Sequence, residues 1–386
     1  MYAMKKGGAY DRFRLMLEAF LERRWEVHCL SLVPIEILHP CYHNHVPGLP
    51  FRSGSGWLAK LLVLSFFPFY SLWVGWQQRI DLFIAFGSLY AFLQAIPKWV
   101  LKKPMVTLIR GDSSFGLRSQ GISNFFLWLN RLIEYAGIIS SNRIITVNTA
   151  MGKEISSRLP GWKAMDVEVL FNNIPFTETP ESTDLSKTRS EFGVSKNGKV
   201  IVTAGILNKG KNMEILIKCL QKIGREDLLL LIVGDGTTKA DAAYQSYLKE
   251  LTEALGLAGK VTFTGWVNKE DLWKIFQAAD LFVLPSRSEG MPNVLLEALG
   301  LDLPCFGSRV PGIADILQYD ELMFDPLDEE LLADKVRRWL SDIEYAQHIK
   351  RLCQNRKKAF LFDWKEKVFQ ILTEGKPSSS TRVESG

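Results

Sequence analysis

The chain is poor in cysteine and histidine, with five of each among 386 residues. Cys29, Cys41, Cys219, Cys305 and Cys353 are scattered, and none forms a C-x-x-C pair. A disulfide framework is therefore not expected, and a reduced, cytoplasmic protein is. The first residues, MYAMKKGGAY, contain no apolar stretch of the kind a secretory signal needs. Long uncharged runs are also scarce. Leu61–Trp76 carries no charge for sixteen residues, but Pro68 interrupts it. A spanning helix needs about 20 apolar residues, so this segment reads as a buried or membrane-surface helix.

What is present bounds the rest. At roughly 150 residues per domain, the length suggests two domains. A hydrophobic fraction of 47% is enough for sizeable cores. The net charge of +5 is uneven. Residues 1–180 hold 19 Lys+Arg against 12 Asp+Glu, a balance of +7, which leaves −2 for the remainder. A basic, aromatic-rich front half suits an anionic partner, either a membrane surface or an acidic ligand. No nucleic-acid partner is expected.

Short apolar strands alternate with helices along the chain. In the front half, Trp25–Val33, Asp81–Gly87, Pro104–Asp112 and Asn142–Asn148 read as strands, after a first helix at Asp11–Glu22. Phe176–Lys187 is polar, contains proline and reads as a linker. The pattern then restarts with KVIVTAG, DLLLLIVGDG, KVTFTGW, DLFVLPS and LPCFGS. Continuous apolar strands between helices indicate parallel sheets covered on both faces. The expected organisation is an α/β chain with two doubly wound domains, at 1–178 and 188–352. A helical segment at 353–375 packs back on the first domain, and a disordered tail follows at 376–386.

The stretch SEGMPNVLLEA places Glu289 and Glu297 eight residues apart, across a strand end and a helix start. Gly290 and Met291 lie in the loop. Pro292 is expected as the first helical residue, followed by a helix at Asn293–Leu301. The N–H groups near Asn293 and Val294 would then face an anion. Glu297, one turn deeper, can accept hydrogen bonds from a ribose diol, and Glu289 can hold another sugar's hydroxyls. The plain alternative is that acidic residues simply favour a helix N-terminus. GILNKGKN, with Gly205, Lys209 and Lys211, follows the first strand of the second domain as a basic, glycine-rich loop. VGDG supplies Gly234 at the next strand end, where glycine allows close backbone approach. GGAYDR supplies Gly8 at the start of a helix in the first domain.

These residues carry a resemblance. The chain resembles the retaining GT-B glycosyltransferases of family 4, also called glycosyl transferases group 1. SEGMPNVLLEA resembles the family's E-x7-E signature. GILNKGKN, VGDG, VTFTGWV and FGSRVPGIADIL resemble its further donor-domain blocks, and GGAYDRFRLMLEAFLERRWEVHCLS its N-terminal glycine loop and helix. The resemblance implies two Rossmann-like domains facing a cleft. It implies transfer of a sugar from a nucleotide-sugar, with UDP or GDP as carrier, to an acceptor hydroxyl with retention. A front-face mechanism in which the departing phosphate acts as base needs no protein nucleophile. By resemblance, Lys211 contacts the diphosphate, Glu297 the ribose and Glu289 the donor hexose, and Gly8 lets the backbone approach the diphosphate. No cofactor and no metal are implied. The sequence has no D-x-D, the metal-carboxylate motif of the other main glycosyltransferase fold. The acceptor would be a glycan or a lipid-linked glycan, met at the inner face of a membrane during synthesis of a surface polysaccharide, lipopolysaccharide or glycolipid.

Four departures stand out. The family's arginine in the basic loop is Ile206 here, and Lys209 is the nearby replacement charge. Arg110 stands where the family often has a histidine, and it cannot act as a base at neutral pH. Only MYAMKK precedes the glycines, where most members have a strand. SSFGLRSQ after Asp112 resists interpretation. These departures keep open a second reading, a degenerate GT-B protein that binds a nucleotide-sugar or a partner without transfer. An epimerase on the same fold lacks support from the signature. The cluster HPCYHNH, His39–His45, is expected to be a surface loop on the acceptor side, since its spacing is unlike the common zinc frames.

Overall fold

The structure, a computed structural model, describes residues 8–31, 34–46, 57–111, 123–161, 163, 165–175, 185–194 and 198–373. MYAMKK, SSFGLRSQ, most of the expected linker and the expected tail lie outside the described residues.

The described strands form three parallel sheets. A six-stranded sheet is built from β7 (Lys199–Ala204), β8 (Leu228–Val233), β9 (Val261–Gly265), β10 (Leu281–Leu284), β11 (Cys305–Ser308) and β12 (Met323–Phe324). Its order is β12-β11-β10-β7-β8-β9. The strands β7, β8, β10 and β11 consist mostly of buried residues such as Val202, Ile232, Phe282 and Phe306. This is why they read as unbroken apolar runs: helices cover both faces of the sheet. The strand order reverses between β7 and β10, and the loops leaving those two strands diverge there. A crevice opens at the carboxyl ends of strands at such a point.

The amino-terminal half divides its strands between two sheets. One has the order β3 (Phe83–Phe86), β4 (Met105–Ile109), β5 (Arg143–Thr146), β6 (Asp166–Val169). The other is the parallel pair β1 (Val27–Leu30) and β2 (Tyr42–His45). A cavity of about 1070 Å³ lies between β1 and β3. Phe13, Met16 and Phe20 line it from the helix Gly8–Leu21, and Phe67 and Val74 from the helix Trp57–Gln77.

Several local expectations need correction. The first helix starts at Gly8, three residues earlier than expected, and β1 is shorter than Trp25–Val33. Tyr42–His45 is a strand and not loop, because its backbone pairs in register with Val27–Leu30. Pro68 does not end its helix, which runs from Trp57 to Gln77. Pro292 is the N-cap and not the first helical residue, with the extended angles φ −75° and ψ 115°. No helix among the described residues is long and apolar enough to cross a membrane.

The carboxy-terminal helices tie the two halves together. The helix Ile343–Lys358 runs unbroken through residue 352, and Trp364–Thr373 follows it. Trp364, Val368, Ile371 and Leu372 are buried in one cluster with Phe13, Leu17 and Phe20. Arg23 pairs with Glu366 beside them.

Candidate active site

The loops leaving β7, β8 and β10 carry the predicted residues into one place. Gly205 ends β7 with φ 154° and donates its N–H to Val233 O at 2.9 Å. Gly234, at φ 129°, packs so closely that a Cβ there would lie 1.9 Å from Gly205 O. Only glycine fits that approach. A short 3-10 turn, Lys209–Lys211, follows. Lys209 is exposed, whereas Lys211 points inward. Lys211 Nζ donates to Glu289 Oε1 at 2.6 Å, and Ser286 Oγ donates to the same oxygen at 2.7 Å. The loop after β10 is thus joined to the loop after β7 through the two side chains expected on opposite parts of the donor.

Glu289 precedes a segment pressed against the amino-terminal half. Asn148 Nδ2 donates to Gly290 O at 2.7 Å. Asn172 Nδ2 donates to Met291 O at 3.2 Å and to Asn293 Oδ1 at 2.8 Å, and its backbone N–H to Met291 Sδ at 3.0 Å. Gly8 lies against the Asn293 side chain, so two helix N-termini, at Gly8 and at Asn293, approach each other. No side chain caps the second one. Free N–H groups at such an end attract anionic oxygen. Val294 is half-buried in its first turn.

Glu297 is the most telling residue. It is 4% exposed, and its Oε2 has no hydrogen-bond partner among the described residues. Burial pushes its carboxyl up to about 7, against the opposing pull of Lys269, the Trp273 side chain and Arg12. A buried carboxylate oxygen without a partner is costly in a folded protein. A ligand offering hydroxyl donors would relieve it.

Two arginines border the site. Arg110 donates to Asn172 Oδ1 at 3.2 Å and sits over the Phe86 ring at 5.7 Å. Its Nε has no hydrogen-bond partner among the described residues. Burial, with Arg12 nearby, lowers it to about 9, so it remains a cation at neutral pH. Arg12 is 2% exposed and donates to Asn173 O at 2.7 Å. Burial lowers it to about 10, against the attraction of Glu297. Sequence reasoning missed Arg12, although an arginine inside the apolar stripe Phe13, Met16, Leu17 was a signal. It also missed Arg287, whose guanidinium holds Asn212 Oδ1 at 2.8 Å and Glu214 at 3.2 Å. Asn148 and Asn172 carried no motif. They matter because each follows a strand of the first half at its carboxyl end.

The arrangement unites Lys211, Arg12, Arg110 and Arg287 with an uncapped helix N-terminus and a buried carboxylate that has one unpartnered oxygen. It suits a ligand with a multiply charged anion at its centre and hydroxyl groups on either side.

The chain is similar to several known proteins. Residues 185–356 match the family model described as glycosyl transferases group 1. An uncharacterized glycosyltransferase of Methanocaldococcus jannaschii is 31% identical over 229 residues, covering 56% of this chain and 55% of that protein. A lipopolysaccharide core biosynthesis glycosyltransferase of Rhizobium meliloti is 32% identical over 184 residues, 47% of this chain and 49% of that protein. The match thus spans about half the length of these curated relatives. Anabaena HepE, solved in complex with UDP-glucose, superposes with a TM-score of 0.75 at 17% identity, over 97% of this chain and 98% of its own. The chain therefore has the α/β fold with parallel sheets of the GT-B glycosyltransferases, and its residues 185–356 carry the similarity to glycosyl transferases group 1.

Proposed function

We propose that the protein is a retaining glycosyltransferase that moves a sugar from a UDP- or GDP-sugar to the hydroxyl of a glycan or lipid-linked glycan. The observation that carries this reading is Glu297: a buried carboxylate with an unsatisfied oxygen, one turn inside an uncapped helix N-terminus. In this reading Glu297 holds the ribose and the helix end receives the diphosphate. Lys211 exchanges its Glu289 contact for phosphate, which releases Glu289 to the hexose. Arg12 and Arg110 add positive charge as the diphosphate departs, and no metal is required. Gly205 and Gly234 keep the loop backbones low enough for the nucleotide. The protein works at the cytoplasmic face of a membrane.

The test is a thermal-shift and donor-hydrolysis screen with UDP-, GDP- and ADP-sugars in the presence of EDTA. One nucleotide-sugar should raise the melting temperature and be slowly hydrolysed. Glu289→Ala should abolish hydrolysis while leaving nucleotide binding within about tenfold. If a nucleotide-sugar binds but neither hydrolysis nor transfer occurs, the protein is a binder without turnover. Ile206, in place of the family's arginine, motivates that second reading.

A further inference from the structure

The ribbon β1–β2 carries a group of side chains that the donor site does not use. Its register places His28 opposite His43 and Leu30 opposite His45. Side chains alternate between faces along a strand. Glu26 and His28 therefore share one face with Cys41, His43 and His45, while Cys29 turns to the core. The contacts agree. The His28 ring stacks on His43 at 4.7 Å and on His45 at 5.2 Å between centroids. His28 Nδ1 and His45 Nε2 are 3.0 Å apart. His43 Nε2 is 2.8 Å from Glu26 Oε2. One donor atom from each of Glu26, His28 and His43 lies within 4.8 Å of the other two. Three of the chain's five histidines thus meet on two short strands.

We propose that this face binds one transition-metal dication of the zinc class, held by His28, His43 and Glu26, with His45 in reach as the fourth ligand. Imidazole and carboxylate are the donors such ions take, at bond lengths of about 2.0–2.2 Å. Tetrahedral closure on those bonds brings donor atoms to roughly 3.3 Å from one another. Two donor pairs, His28 Nδ1 with His45 Nε2 at 3.0 Å and His43 Nε2 with Glu26 Oε2 at 2.8 Å, are already closer than that, and the Glu26, His28 and His43 donors all lie within 4.8 Å, so side-chain rotation suffices. The site also has a structural rationale. A two-stranded sheet is marginal by itself, and among the described residues this one has no ladder to β3–β6. A metal bridging Glu26 and His28 on one strand with His43 and His45 on the other would clip the ribbon together. No residue of the cluster belongs to the donor site, so the role is structural and independent of the proposed transfer.

The experiment uses the full chain, stripped with EDTA and desalted. Co²⁺ is titrated with visible absorption as the readout, and Zn²⁺ by calorimetry. The proposal expects one saturable equivalent of each, with the intense visible bands of low-coordinate Co²⁺ displaced by Zn²⁺. His28→Ala and His43→Ala should each weaken binding at least about tenfold, and Glu26→Gln, at an exposed side chain, should weaken it as well. His348→Ala, remote from the ribbon, should change nothing. Absence of saturable binding to the unmodified chain overturns the proposal. So does an affinity that is the same in Glu26→Gln and His43→Ala as in the unmodified chain, which would mean adventitious binding elsewhere.

Discussion

Glu297 illustrates how a single side chain can be at odds with its own fold. Its folded-state value of about 7 lies above the ordinary 4.5. Below pH 4.5 the carboxyl is protonated in both the folded and unfolded chains, and its burial carries no ionisation penalty. Between pH 4.5 and about 7 the unfolded chain ionises while the folded one does not, so stability falls, and above about 7 it levels off. The total loss is roughly 3 kcal/mol. Glu297→Gln should remove it. In melts from pH 5 to 8 without ligand, the wild type should lose several degrees that the variant keeps, and the variant should bind nucleotide-sugar at least about tenfold more weakly. Parallel melting curves would show that Glu297 is not the titrating group. Glu289 and Lys211, by contrast, are hydrogen-bonded to each other. Lys211→Met should leave Glu289 supported only by Ser286 and destabilise the fold by about 1–3 kcal/mol.

At the scale of elements, close backbone approach governs the site. Gly312 opens the helix Pro311–Leu317 and touches no proposed ligand position. A Cβ there would lie 2.1 Å from Gly290 O and 2.6 Å from Glu289 O. Gly312→Ala should therefore push back the Glu289 loop, costing about 1–3 kcal/mol and weakening turnover more than nucleotide affinity. Equal losses in both would mean that the damage spreads beyond the loop. Elements also show where periodicity stops being informative. In the second half β7, β8, β10 and β11 are apolar runs and were legible as strands, as was β9, but the two residues of β12, like β6 in the first half, were not legible as a strand. The four residues of β2, YHNH, are polar and aromatic, and they form a strand only because β1 offers an edge. His28 was likewise invisible as a partner of His43, since they lie fifteen positions apart and only pairing joins them.

At the scale of the whole molecule, apolar surface is concentrated on one side. The helices Trp57–Gln77, Ser88–Leu101 and Asn124–Ser140 pack side by side. They expose Phe69, Trp73, Trp76, Trp99, Phe125 and Trp128, with Trp99 80% exposed. Arg131 lies on one of these helices, and Lys102 and Lys103 follow another. Exposed aromatic side chains on neighbouring helices, with Arg131 and Lys102 nearby, suit an anionic bilayer. The prediction is co-sedimentation with vesicles containing anionic lipid, weakened by salt. Trp99→Glu with Trp128→Glu should reduce the bound fraction severalfold without altering donor hydrolysis. Binding unaffected by these two changes would place the membrane contact elsewhere. Contacts between the halves belong to this scale too. Thr149 donates to Asp315 through both its backbone N–H and its hydroxyl, each at 2.7 Å.

By itself the sequence determined the alternation of strands and helices, the parallel sheets and the positions of the second-half loops. Those features depend on local apolar patterning and on glycines next to strand ends. The pairing of Glu289 with Lys211, the burial of Glu297 and the recruitment of Arg12, Asn148 and Asn172 depend on elements separated by tens to hundreds of positions. So does the gathering of His28 with His43 and His45. Tertiary structure decided them, because burial and hydrogen bonding are set by which elements meet, and no local pattern records that meeting.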